Sequence, residues 1–191
     1  MHIYTSSCRC AYLRRKIALC AFLFSLCIFE RCHAMEHAAL LIRPYQDADF
    51  PAMERIHDSA RRQELAFAGL DAAFLPLRIA AQREGLFDYT LRVAEQNGEV
   101  VGFTAYTQDE LAWLYVDPPH MRKGIGRALA SYVIEHTSER PLCVEVLAGN
   151  EPAMHLYTSV GFVRMRIVSG KMPGNECFDV TVNCLELSER K

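Results

Sequence analysis

Apolar residues recur at alternate or consecutive positions from Leu91 to Ala94 and again from Val100 to Tyr106, with the polar stretch "QNGE" between them. An Asn-Gly pair between two apolar runs is the turn chemistry of a tight hairpin, so two antiparallel strands are expected there. Leu111 to Val116 is a third strand, reached after "TQDE". Upstream, Leu40 to Arg43 is a short apolar strand closed by Pro44. The stretch "DADFPAMERIHDSA" then predicts a helix capped by Asp47 or Asp49. Leu70 to Gln82 repeats apolar residues at helical spacing and predicts a second helix.

Downstream, Gly126 to Glu139 is expected to be helical and Leu142 to Val146 a β-branched strand. Glu151 to Ser159 is a further helix capped by Asn150. Phe162 to Val168 and Phe178 to Leu187 close the pattern as two strands joined by "SGKMPGNEC". The order of strand, two helices, three strands, helix, strand, helix and two strands points to a mixed α/β domain of the α+β type rather than a doubly wound sheet.

Composition narrows the function. With 191 residues, 51% of them apolar, and a formal charge of −2, the chain can bury one core and lacks the basic balance of a general nucleic-acid binder. Residues 1–34 stand apart: they hold Cys8, Cys10, Cys20, Cys27 and Cys32, and Arg14, Arg15 and Lys16 precede the apolar run Ile17 to Phe29. That outline fits a secretory signal or an extension upstream of a functional start at Met35, and it is too short to span a bilayer. The remaining Cys143, Cys177 and Cys184 make neither a disulfide framework nor a zinc site. His57, His120, His136 and His155 share no ligand spacing, so no metal is expected.

The candidate chemistry lies in "YVDPPHMRKGIGRAL", residues 115–129, where a strand ends and a helix begins. A helix start offers unpaired N–H groups and the positive end of the macrodipole. Gly124 and Gly126 lack Cβ atoms that would hold an anion away, and Arg122, Lys123 and Arg127 add charge. A phosphate ligand is expected. Neither a Walker A loop nor a complete G-x-G-x-x-G fingerprint is present.

The stretch "MRKGIG", Met121 to Gly126, with "LYVDP" before it, "GRAL" after it and "AMHLYTSVGF" further on, resembles the GNAT superfamily of N-acetyltransferases and its signature [Q/R]-x-x-G-x-[G/A]. Both glycine positions match, and Met121 departs from the first position. The resemblance implies a mostly antiparallel central sheet of six to seven strands with about four helices, its fourth and fifth strands splayed. It implies acetyl-coenzyme A along the backbone of Leu114, Tyr115 and Val116, with the pyrophosphate on the segment Met121, Arg122, Lys123, Gly124, Ile125, Gly126, Arg127 and Ala128.

By the same resemblance Asn150 contacts the cofactor and Tyr157 is the general acid. Glu110 and Glu145 are the alternative bases for transfer to a primary amine, small-molecule or peptide. The acceptor pocket is expected from 61–74 and 169–177, whose mixed charges select no single amine. A homodimer stays open. Because acetyl-coenzyme A is a cytosolic metabolite, the domain 35–191 is expected in the cytoplasm. The competing reading, to which Met121 points, is a non-catalytic acetyl-coenzyme A binding domain of the same fold.

Overall fold

The structure, a computed structural model, describes residues 39–188; the signal-like segment at 1–34 lies outside them. In chain order come β1 (Leu41–Pro44), α1 (Phe50–Phe67), α2 (Leu77–Arg83), β2 (Thr90–Gln96), β3 (Glu99–Tyr106), β4 (Leu111–Val116), α3 (Ile125–His136), β5 (Leu142–Leu147), α4 (Glu151–Ser159), β6 (Val163–Lys171) and β7 (Asp179–Leu187). The order is the one the sequence predicts, and the class is mixed α/β with mostly antiparallel pairing.

The strands form two sheets, β1-β2-β3-β4 and β5-β7-β6, each antiparallel throughout. β4 and β5 run parallel and meet at one bridge, Glu110 to Cys143, where the Cys143 N–H donates to the Asp109 carbonyl at 2.7 Å. Beyond it β4 stays with β3 while β5 pairs with β7 from Leu142 to Leu147. The expected splay of the fourth and fifth strands is therefore present. The hairpin between β2 and β3 turns at Asn97 (φ 54°) and Gly98 (φ 80°), the positive pair that a type I′ turn requires.

Helices cover opposite faces of the first sheet. Met53 and Ile56 of α1 and Leu77 of α2 pack with Val93, Phe103 and Trp113 on one face. On the other, Ile125 and Leu129 of α3 pack with Ala94, Val101 and Val116. A further core joins α3 and α4 to the second sheet through Val133, Val144, Tyr157, Phe162 and Leu185. Alternation along a pleated strand explains the split, because neighbouring residues point to opposite faces.

Three local expectations need correction. The helix expected over Leu70 to Gln82 is a 3-10 turn at Asp71–Ala73 followed by α2 from Leu77. Pro76 has no N–H and disfavours helical backbone at Leu75, so the helix restarts after it. Asp49 does not cap α1 with its side chain; its carboxylate accepts from the Gln46 N–H at 2.8 Å and pairs with Arg43 at 2.7 Å. α3 ends at His136 rather than Glu139, since Thr137 is extended (φ −114°, ψ 141°) and its hydroxyl donates to the Val133 carbonyl at 2.9 Å.

Candidate active site

The junction after β4 is fixed before it is charged. The Asp117 N–H donates to the Val101 carbonyl at 2.9 Å, and the Asp117 carbonyl accepts from the His120 N–H at 2.7 Å. The buried Asp117 carboxylate pairs with Arg55 of α1. Arg122 (φ 62°) and Gly124 (φ 86°) are both left-handed, which turns the chain so that successive N–H groups converge before α3 begins.

Helix geometry leaves the N–H groups of Ile125, Gly126 and Arg127 without an acceptor inside α3. Ala128 differs: its N–H donates to the Gly124 carbonyl at 2.9 Å, and the Met121 N–H is likewise spent on the Pro118 carbonyl at 3.2 Å. Met121, Arg122, Lys123, Gly124 and Arg127 are exposed. A Cβ at Gly124 would meet nothing within 4 Å, as expected of a residue cleared for an anion. At Gly126 it would lie 3.3 Å from Leu156 and 3.6 Å from Val116. A side chain at Gly126 would therefore also press on the contact of α3 with α4 and β4.

Along β4, Leu114 and Val116 face α3, whereas Trp113 and Tyr115 face α1. The edge of β4 toward β5 is free of strand partners past Glu110, so the backbone of Leu114, Tyr115 and Val116 can receive an extended chain as an added strand would. The free N–H groups, the basic side chains and this open edge fit an extended ligand ending in a pyrophosphate.

Between α1, β4, β5 and the β6–β7 loop lies a cleft of about 170 Å³. Glu64 of α1 organises one side. It accepts from Arg61 at 2.7 Å, from the Tyr115 hydroxyl at 3.3 Å and from the Asn150 amide at 3.4 Å. Asn150 meanwhile caps α4, its Oδ1 accepting from the Ala153 N–H at 3.1 Å. Gly149 makes this reach possible: it has φ 93°, and a Cβ there would stand 2.6 Å from the Phe67 carbonyl at the end of α1.

Tyr157 is 6% exposed, packs edge to face on Phe162 at 5.6 Å, and its hydroxyl has no hydrogen-bond partner among the described residues. Burial, and then the nearby Glu64 charge, raise its phenol above the ordinary tyrosine range, so it carries its proton at neutral pH. Glu145 on β5 lines the cleft and accepts from the Cys184 thiol at 3.6 Å. Glu110 does not line it. Its carboxylate accepts from the Tyr89 hydroxyl at 3.3 Å; burial raises it, that hydrogen bond opposes the rise, and the Glu145 charge adds to it.

Two further acidic residues line the cleft. Glu64 falls in the segment 61–74 expected to build the acceptor pocket, but nothing local in the sequence links it to Asn150. Glu84, one residue past α2, lines the same cleft, and burial pushes its carboxyl up to about 7. His57, buried and held below its ordinary range by desolvation, donates to Asp58 at 3.0 Å. Among the described residues no group of three or more His, Cys, Asp or Glu is placed to hold a metal ion.

A family model described as the acetyltransferase (GNAT) domain matches residues 87–164. The chain is 28% identical over 171 residues to the L-amino acid N-acyltransferase MnaT of Escherichia coli (strain K12), covering 78% of this chain and 95% of that one. It is 40% identical over 74 residues to the E. coli (strain K12) [ribosomal protein bS18]-alanine N-acetyltransferase, covering 35% of this chain and 50% of that one. For other curated relatives that it matches, coverage falls as low as 23% of their length. The solved ribosomal-protein-alanine N-acetyltransferase of Brucella melitensis superposes with a TM-score of 0.60 at 25% identity, over 78% of this chain and 100% of that one. The family match contains the glycine-bearing junction, the splayed strands, Asn150 and Tyr157, and the chain is thus similar in both sequence and fold to the GNAT acetyltransferases.

Proposed function

We propose that this chain transfers the acetyl group of acetyl-coenzyme A to a primary amine held in the cleft between α1 and the β6–β7 loop. The observation that carries the reading is the parting of β4 and β5 after the Glu110–Cys143 bridge, with the free N–H groups of 125–127 where β4 delivers the chain. Bound acetyl-coenzyme A supplies a thioester carbonyl open to attack and a thiolate as leaving group.

The residues divide the proton work. An ammonium has no lone pair, so the acceptor must first lose a proton, and Glu145 is the carboxylate in the cleft assigned to take it. Glu110, bonded to Tyr89 and outside the cleft lining, is the alternative base. As the C–N bond forms and the C–S bond breaks, the departing sulfur gains a proton from Tyr157, the nitrogen's second proton restores that phenol through solvent, and Glu145 releases the first proton to water. Asn150, held by Glu64 and by its own helix, keeps that end of the cleft in register with Tyr115.

The acceptor is a small-molecule or peptide amine. The relatives' names cover an L-amino acid N-acyltransferase and a ribosomal-protein alanine acetyltransferase, and neither substrate is assigned to this chain. No described helix is long and apolar enough to cross a membrane. We assign the working domain to 35–191 and its place to the cytoplasm, where acetyl-coenzyme A is available.

Calorimetric titration of acetyl-coenzyme A, with NAD and ATP as controls, followed by amine-dependent release of free thiol, tests the assignment. Selective micromolar binding with amine-dependent release is expected. Selective binding with no release for any amine would leave a binding domain; no binding would overturn the ligand as well.

A further inference from the structure

The cleft carries more negative charge than acetyl transfer to a simple amine uses. Its ionisable lining is Arg61, Glu64, Glu84, Glu145, His57 and Tyr115. Arg61 pairs with Glu64 at 2.7 Å and also acts on Glu84, while His57 is kept neutral by burial. Three carboxylates thus share one cation, and of the two not hydrogen-bonded to it only Glu145 has a task in the reaction proposed above. A carboxylate held partly out of water without a counter-charge costs free energy unless a ligand supplies that charge.

Glu84 is placed for a ligand rather than for bulk solvent. The β6–β7 loop lies directly on it: a Cβ at Gly174 would stand 2.8 Å from the Glu84 Cγ and 3.0 Å from its Oε1. That loop is tied down on both sides of the contact. Arg83 donates to the Gly174 carbonyl at 3.0 Å, and the Asn175 amide donates to the Ala73 carbonyl at 3.0 Å. Leu75, Trp113 and Met172 give the same cleft apolar walls. A space with carboxylates contributed by β5 and the residue just past α2, and with aliphatic and aromatic walls, has the complement of an alkyl chain charged at both ends.

We infer that Glu84 is a specificity-determining residue, and that the preferred acceptor carries a second cationic group, as in a short α,ω-diamine or a lysine-like chain, seated against it. The inference rests on the acetyltransferase reading for the identity of the reacting end and on the cleft alone for the distal one. An acceptor with a carboxylate at the distal end meets Glu84 and Glu64 with the same sign and is disfavoured.

The test measures binding of 1,4-diaminobutane, butylamine and 4-aminobutyrate to the full chain saturated with coenzyme A, and acetyl transfer to each in parallel. The expected order is diamine tightest by at least about tenfold, then butylamine, then 4-aminobutyrate. In Glu84→Gln, which keeps the shape, the ratio of diamine to butylamine affinity should fall to near one. Wild-type protein that binds the diamine no tighter than butylamine overturns the inference without any variant, as does a Glu84→Gln protein that keeps the ratio. If no amine is acetylated while the diamine preference in binding persists, the transferase reading falls and the Glu84 assignment stands. If transfer proceeds with no preference, the reverse holds.

Discussion

Asn150 joins two helices with one side chain: its Oδ1 accepts from the Ala153 N–H at 3.1 Å to cap α4, and its Nδ2 donates to Glu64 of α1 at 3.4 Å. The two uses can be separated. Asn150→Asp keeps a capping acceptor and sets a carboxylate against Glu64. It should lose stability at pH 7 and recover much of it at pH 4, as the introduced aspartate protonates. Asn150→Ala should lose about 1 kcal/mol of cap at both pH values. Urea midpoints at the two pH values check this, and equal losses for Asp at both would show that Glu64 is not its neighbour in solution.

Gly149 lets Asn150 arrive. Gly149→Ala meets the Phe67 carbonyl at 2.6 Å and a φ of 93° together, so neither a small shift nor a new rotamer relieves it. A loss of roughly 2 to 4 kcal/mol is expected, the size of other severe single-site changes. A chemical denaturation curve within 0.5 kcal/mol of wild type, roughly the range of benign surface changes, would show that the loop has slack.

Tyr157→Phe isolates the proton. The hydroxyl has no partner among the described residues, so its removal should leave the thermal midpoint and the acetyl-coenzyme A affinity near wild type. Turnover should fall on the order of a hundredfold or more if the phenol is the general acid. An unchanged kcat across the pH range would remove Tyr157 from that role.

The two signature glycines should respond differently to the same substitution. Gly124→Asp places a carboxylate in open space beside the free N–H groups, so acetyl-coenzyme A binding should weaken at least about tenfold while the fold loses only about 1 kcal/mol of left-handed backbone strain. Gly126→Asp puts the carboxylate among Leu156, Val116 and Leu114 and should chiefly destabilise the protein. Calorimetry with thermal melts on both variants distinguishes them; a stable Gly126→Asp with selectively lost binding would restore the anion-clearing role there.

Glu84 should make stability fall with rising pH. Its carboxyl is raised from 4.5 to about 7, chiefly by burial, with Arg61 opposing and Glu64 and Glu176 adding. Between those values the native state holds a proton that the unfolded chain has released, so ν_U is below ν_N and the slope of stability is negative. Below about 4.5 this contribution is fully present, and it is lost through about 7. Glu84→Gln should therefore gain roughly 1 to 3 kcal/mol on wild type between pH 4 and pH 8. A difference that stays flat with pH would place Glu84 in water.

Much of the molecule was legible locally. The Asn97-Gly98 turn, the Asn150 cap, and the glycine-bearing strand-to-helix junction each rest on chemistry within a few residues, and all three stand where the sequence placed them. Leu70 to Gln82 misleads because its apolar spacing runs across Pro76, whose missing N–H ends the helical pattern. Glu64 falls in the segment 61–74 expected at the acceptor pocket, but its partners were not legible, and Glu84 lies outside both expected segments; both residues are outside the stretch 87–164 that the family match covers, and acceptor-side residues follow the substrate rather than the fold.

The sequence by itself determined the order of elements, the faces of strands and helices, and the glycine-bearing strand-to-helix junction, because periodicity, turn chemistry and helix ends are short-range. Only the tertiary structure decided which carboxylates share the cleft. Glu64 meets Asn150 across 86 positions, and Gly174 lies on Glu84 through a loop from the far end of the chain. Such contacts depend on how helices seat on a splayed pair of sheets, and burial then changes what each carboxylate can do. No local pattern encodes that seating, since it is set by packing summed over the whole core.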